Sequence, residues 1–179
     1  MEAWKNHYEK NIFGTYNEFE LRLGKQTASG FKSDIGKDNY EKLLQTLQAS
    51  KWDSVEDTNI TDTIYIGGIR KSSTGSIIKK TTTYKNHIRI NQAHDIRFAI
   101  NKELPVLKTG TTIEMKRHKI RKSFRKQFYR FDITFIKNDN SYEIEMELVD
   151  IDYAKMHSFE YIIGNMVRIF YSLVSSTNF

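Results

Sequence analysis

The stretch Glu143-Ile144-Glu145-Met146-Glu147 alternates a carboxylate with an apolar residue, and Glu18-Phe19-Glu20 does the same near the start of the chain. A two-residue period belongs to a β-strand and puts the carboxylates of each stretch on one face, about 7 Å apart. Any half-exposed strand with a solvent face shows the same alternation. However, Glu is a poor strand former and like charges two apart repel, so three in alternation cost stability unless a cation or basic neighbours compensate. If the two strands are neighbours in a closed sheet with their carboxylates inward, they offer oxygen ligands to a hard divalent cation.

A basic counterpart lies between them. In Lys119-Ile120-Arg121-Lys122-Ser123-Phe124-Arg125, residues Lys119, Arg121, Ser123 and Arg125 share one strand parity. The alternative to an inward wall is a solvated basic outer face. Arg70, Lys79, Lys80, Arg89 and Arg97 place further cations on other predicted strands, and whether Lys79 or Lys80 faces inward is open from sequence. Acids on one wall and cations on the other suit a metal-bound triphosphate, because Arg matches phosphate oxygens bidentately and Lys acts as a point charge. Asp132 reads as a group that orients a basic side chain, and Glu103 on its own reads as a strand-end surface residue. The five His residues show no HxH or HExxH spacing, and no Walker loop, GxSxG elbow or dinucleotide fingerprint is present.

The rest of the chain supports a mainly β domain. Strands are predicted over Tyr16–Leu23 (closed by Gly24), Thr61–Ile69, Ser76–Tyr84, His87–Ile90, Asp95–Asn101, Ile113–Lys126, Tyr129–Lys137 and Ser141–Val149, with Asn138-Asp139-Asn140 as a hairpin turn. About eight strands is the number at which a closed barrel encloses one small ligand. Helices are predicted as a lead-in over residues 1–13, a second over 38–49 with Asp38 and Glu41 as a capping box, and a C-terminal amphipathic helix over 152–173. The last carries Tyr153, Met156, Phe159, Ile163, Met166, Phe170 and Val174 on its apolar face. With 179 residues, 39% of them hydrophobic, and no repeat or linker, residues 1–179 read as a single domain, with tunnel strands over 14–150. The absence of Cys excludes disulfides, Cys-bound zinc and thiol catalysis. Residues 1–10 are too polar for a signal peptide and no run of about 18 apolar residues exists, so a soluble protein with no membrane partner is expected. A net charge of +6 favours an anionic partner.

Taken in order, these motifs resemble the metal-dependent RNA 5′-triphosphatases of fungal, protozoan and viral mRNA capping, in the triphosphate tunnel metalloenzyme superfamily. The resemblance runs from residues 17–24 through 95–105, 119–124 and 130–134 to 142–148, and so covers most of the chain. It implies an α+β, mainly β fold: an eight-stranded antiparallel β-barrel, the triphosphate tunnel, with flanking helices. It implies a hydrolase that removes the γ-phosphate from 5′-triphosphate RNA, the first step of cap formation, with Mg²⁺ or Mn²⁺ as cofactor. By motif position, Glu18, Glu20 and Glu147 look like the metal ligands, and Glu145 and Glu103 like the groups acting on the attacking water. Arg70, Lys119 and Arg121 look like γ-phosphate contacts, Lys80 and Arg97 like further basic wall residues, and Glu143 and Asp132 like supports for the Arg and Lys side chains. The expected partners are the triphosphate end of nascent RNA and an mRNA guanylyltransferase. The expected assembly is a monomer or homodimer, and the expected setting is the nucleus, or the cytoplasm if viral. A tripolyphosphatase or nucleoside triphosphatase of the same fold is the alternative enzyme, and a noncatalytic RNA- or polyphosphate-binding module the alternative of another class.

Overall fold

The computed structural model describes residues 17–177. The predicted lead-in helix over 1–13, and Tyr16, lie outside the described residues. Nine strands and three helices follow in the order β1 (Asn17–Thr27), β2 (Gly30–Lys32), α1 (Lys37–Gln48), β3 (Ser54–Tyr65), β4 (Ile69–Ser72), β5 (Ile77–Arg89), β6 (Asp95–Pro105), β7 (Ile113–Lys126), β8 (Tyr129–Ile136), β9 (Ser141–Leu148), α2 (Ile151–Lys155) and α3 (Phe159–Ser176) among the described residues. Eight strands close into an antiparallel barrel in the order β1, β6, β5, β4, β3, β7, β8, β9, with β9 returning to β1. The closing seam is three pairs long: Glu20 with Glu147, Leu21 with Met146, and Arg22 with Glu145. The extra strand β2 folds back on the end of β1, pairing Lys32 with Lys25 and Gly30 with Thr27.

The layering is inverted relative to an oil-filled barrel. On β1, Phe19, Leu21 and Leu23 point outward and are fully buried, while Glu18, Glu20 and Arg22 point into the barrel. The same sorting puts Ile96, Phe98 and Ile100 of β6, Phe131 and Ile133 of β8, and Ile144 and Met146 of β9 into one apolar layer outside the barrel wall. Leu43 and Leu47 of α1 and Phe159, Ile162, Ile163, Met166, Phe170 and Val174 of α3 cover that layer. Within it, Phe131 stacks on Phe170 at 5.9 Å and meets Trp52 edge-on at 5.8 Å. The hydrophobic free energy of the fold is therefore gathered between sheet and helices, which leaves the lumen to charged groups. No helix among the described residues is long and apolar enough to cross a membrane.

Several element boundaries differ from the sequence reading. Gly24 does not end its strand, and β1 runs on to Thr27. The expected strand Thr61–Ile69 is two strands, separated by a turn in which Gly67 and Gly68 take φ of 90° and 77°, and β3 begins earlier, at Ser54. Ser76–Tyr84 and His87–Ile90 fuse into β5, because its ladder to β6 continues through a bulge between Thr82 and Tyr84 as far as Asp95. The capping box of Asp38 and Glu41 does not form. Gly36, at φ 77°, is the N-cap without a side-chain bond, and Asp38 sits in the first turn, where its charge opposes the helix dipole's positive end. The predicted helix over 152–173 is broken. Asp150 caps α2 by accepting from the Tyr153 N–H at 2.8 Å, Ser158 caps α3 by accepting from Tyr161 at 3.2 Å, and Met156 in the break is exposed.

Candidate active site

The lumen is a polar cavity of about 280 Å³. Its acidic seam is built where β9 meets β1: Glu20 and Glu147 are direct partners, Glu18 lies two residues along β1, and Glu145 and Glu143 follow along β9. Glu103 enters from β6, and Asp62, almost fully buried, from β3. Opposite stands β7, whose alternation turns Arg117, Lys119 and Arg121 inward. Register settles the Lys79 and Lys80 question. Lys80 points into the lumen and Lys79 is exposed.

Each of these groups is held by an opposite charge. Arg121 donates to Asp132 and to Glu145 at 2.8 Å each, and through Nε to Thr134 at 3.0 Å. Arg22 bridges Glu145 at 2.7 Å and Glu20 at 3.0 Å, while Arg97 takes the other oxygen of Glu20 at 3.0 Å. Arg130 joins Glu147 and Asp132. Lys119 is buried against Asp62, and Arg117 donates to Glu143 at 2.9 Å. Arg70 reaches Glu103 at 3.2 Å. The Lys80 ammonium sits among carboxylates, donating to Glu18, with Glu20 at 3.4 Å and Glu103 at 3.2 Å.

The protonation pattern follows from this wiring. Burial, helped by the charge of Glu18, pushes the Glu147 carboxyl up to about 8 against the pull of Arg130. Burial likewise raises Glu18, with Lys80 opposing. Burial would raise Glu145 too, but the Arg22 and Arg121 guanidiniums hold it well below the usual carboxylate range. In Glu20 the pull of Arg22 and Lys80 also outweighs burial. Lys119 is lowered, because its burial outweighs the attraction of Asp62.

The sequence model of the family described as mRNA capping enzyme, beta chain, matches residues 25–168. The chain belongs to this family. Glu18 and Glu20 of β1 lie just before the matched residues, and Glu143, Glu145 and Glu147 of β9 lie within them. Two solved structures share the fold: that of the S. pombe Pct1 RNA triphosphatase in complex with the Spt5 CTD, with a TM-score of 0.74, 19% identity and coverage of 98% of this chain and 92% of that one, and that of S. pombe Pct1 RNA triphosphatase alone, with a TM-score of 0.73, 20% identity and coverage of 98% and 91%. A search of the curated proteins gave no significant match.

The lumen also contains Arg22, Arg117, Arg130 and Asp62, which lie outside the site residues that the resemblance implies. Arg22 continues the parity of Glu18 and Glu20, and Arg117 that of Lys119, so both were signalled by period alone. Arg130 opens the motif 130–134, two residues before Asp132 and on the same strand parity. Asp62 lies between Thr61 and Thr63 in a Thr-rich strand, and nothing near it in sequence marks it. Glu18, Glu20 and Glu147 suit a hard divalent ion in donor chemistry, and one observation agrees: the Lys80 ammonium already places a positive charge between Glu18 and Glu20. Among the described residues no ready-made group of three such ligands converges, because their oxygens are turned to Lys80, Arg22, Arg97 and Arg130.

Proposed function

We propose that this protein hydrolyses the terminal phosphate of a 5′-triphosphate RNA end, as the RNA 5′-triphosphatase of mRNA capping. The observation that carries the reading is the closed tunnel with its acidic seam, Glu18, Glu20 and Glu147, facing the cations of β7. Water forms the new bond to the γ-phosphorus, the bond from that phosphorus to the β–γ bridging oxygen breaks, one proton of the water stays on the inorganic phosphate and the other passes to solvent, and the RNA is left with a diphosphate end.

Arg121 and Lys119, with Arg70, Lys80 and Arg97, offset charge on the phosphate oxygens, and their carboxylate partners keep them aimed before substrate arrives. Glu145, ionised and gripped by two guanidiniums, is a weak proton acceptor. Its part is to hold Arg121 and to orient the water by accepting a hydrogen bond, with Glu103 on the opposite side. Glu143 and Asp132 position Arg117, Arg121 and Arg130.

The lumen's inward acids, Glu18, Glu20, Asp62, Glu103, Asp132, Glu143, Glu145 and Glu147, are matched in number by Arg22, Arg70, Lys80, Arg97, Arg117, Lys119, Arg121 and Arg130. A triphosphate adds several negative charges to that interior, which favours entry of a compensating cation with it. Glu18, Glu20 and Glu147 are the residues that would hold Mg²⁺ or Mn²⁺, which when bound supplies Lewis-acid stabilisation of the phosphate oxygens. The diphosphate product is what an mRNA guanylyltransferase consumes, so that enzyme is the expected partner. The expected setting is the nucleus, or the cytoplasm for a viral protein, with the chain acting as a monomer or homodimer.

The deciding assay is phosphate release from triphosphate-ended RNA, with ATP and inorganic tripolyphosphate as competing substrates, each with and without Mg²⁺ or Mn²⁺. Metal-dependent release from RNA is expected. Release from ATP or tripolyphosphate with none from RNA would reassign the substrate, and full activity in excess EDTA would remove the metal.

A further inference from the structure

The β1–β9 seam ends at Arg22 and Glu145, and beyond it β1 and β9 diverge. The segment Gly30–Ile35 enters that gap and grips both sides. Toward β9, the Ile35 N–H donates to the Tyr142 carbonyl at 2.9 Å and the Tyr142 N–H to Asp34 Oδ1 at 2.9 Å. The Ser33 hydroxyl donates to the same Glu143 oxygen that receives Arg117. Toward β6, the Phe31 ring lies under the Arg97 guanidinium, whose Cζ is 4.8 Å from the ring centroid, and stacks on His87 at 5.5 Å.

This placement needs Gly24. A Cβ there would come within 2.7 Å of the Phe31 ring and 2.2 Å of the Lys32 carbonyl oxygen, so the missing side chain is the seat of the returning hairpin. Arg97 is thus fixed from two directions, by Glu20 at 3.0 Å and by the aromatic face of Phe31. Arg117 is fixed through Glu143, which Ser33 holds. One short segment therefore sets two lumen cations on opposite sides of the seam, and neither contact uses the barrel's own ladder.

We propose that Gly30–Ile35 is a positioning strap: Phe31, acting through Arg97, and Ser33, acting through Glu143 and Arg117, hold lumen cations in the geometry that receives the triphosphate. The inference rests on the triphosphatase reading above. Phe31 and Ser33 are positioning residues and touch no substrate.

The test measures tripolyphosphate binding by calorimetry, and kcat and KM on triphosphate-ended RNA, in the full chain. Phe31→Leu keeps apolar bulk and removes the aromatic face. It should weaken tripolyphosphate binding and raise KM about tenfold each while leaving kcat within about twofold, and Phe31→Tyr should restore both. Ser33→Ala, which removes one hydroxyl, should shift Kd and KM the same way, and Ser33→Thr should restore them. A purely structural role would lower the melting temperature and the active fraction, hence kcat, with Kd and KM unmoved. That pattern, or wild-type binding in both Phe31→Leu and Ser33→Ala, overturns the strap alone. A wild-type chain that neither binds tripolyphosphate nor hydrolyses RNA ends overturns the strap and the functional reading together.

Discussion

Glu20 and Glu147 are direct cross-strand partners at the seam that closes the barrel. Residues so paired have Cβ atoms about 4.5–5.5 Å apart, and two like charges at that distance destabilise a sheet unless something positive lies between them. In this protein Glu20 is drawn aside to two arginines, Arg97 and Arg22, and Glu147 to one, Arg130.

Replacing Glu20 or Glu147 by Gln should therefore remove activity and leave the fold. A rate loss of about a thousandfold or more is expected for a ligand shared by the reacting phosphate's counter-ion. Phosphate-release kinetics and circular dichroism read the two quantities separately. Near-normal turnover in either variant would exclude the seam as the metal site.

The acidity of Glu147 links metal binding to pH. Its folded pKa of about 8 stands above the ordinary 4.5, so the fold holds a proton that the unfolded chain has released near neutrality. The stability from this group is fully present below the unfolded value and is lost as pH rises through 8. Metal-free protein should accordingly melt at lower temperature at pH 9 than at pH 7, and Glu147→Gln should flatten that slope. Because the bound cation displaces the proton, apparent Mn²⁺ affinity should rise by up to about tenfold per pH unit as pH approaches 8. A pH-independent affinity between 6 and 8 would contradict the assignment.

Arg121→Lys keeps the charge but cannot reach Asp132, Glu145 and Thr134 together as the guanidinium does. A loss of roughly ten- to a hundredfold in kcat/KM is expected, since Lys lacks the planar fork. An unchanged enzyme would mean that the β7 wall does not meet the phosphate.

Phe131→Ala probes the outer layer. Removing a ring packed on Phe170 and Trp52 should cost about 3–5 kcal/mol by chemical denaturation. The fraction that remains folded should keep wild-type activity, because this ring belongs to the apolar layer outside the barrel wall.

How far the sequence could be read depended on which face of each strand was marked. The β8–β9 hairpin was legible because Asn138-Asp139-Asn140 supplies the turn and Glu143 to Glu147 the parity, and Glu18, Glu20, Lys119 and Arg121 announced themselves by the same period. The first half of β3 gave no signal. Its outer face is open to solvent, so Ser54 to Asp57 carry no apolar alternation. Asp62 was missed for a related reason: its partners Lys119 and Arg70 are brought to it by the pairing of β3 with β7 and β4 and not by spacing along the chain. In the C-terminal helix the apolar period runs straight through Met156, but Ser158 starts a new helix by capping chemistry that periodicity does not register.

Because the greasy layer lies wholly outside the barrel wall, the chemistry of the lumen and the shape shown to other molecules are written in different residues. A chain whose lumen has been emptied of charge would still present α1, α3 and the outer strand faces unchanged. Substitutions in the lumen should therefore silence the chemistry with the outer shape intact, and substitutions in the outer layer should do the reverse, so that the two kinds of defect can be told apart in one small protein.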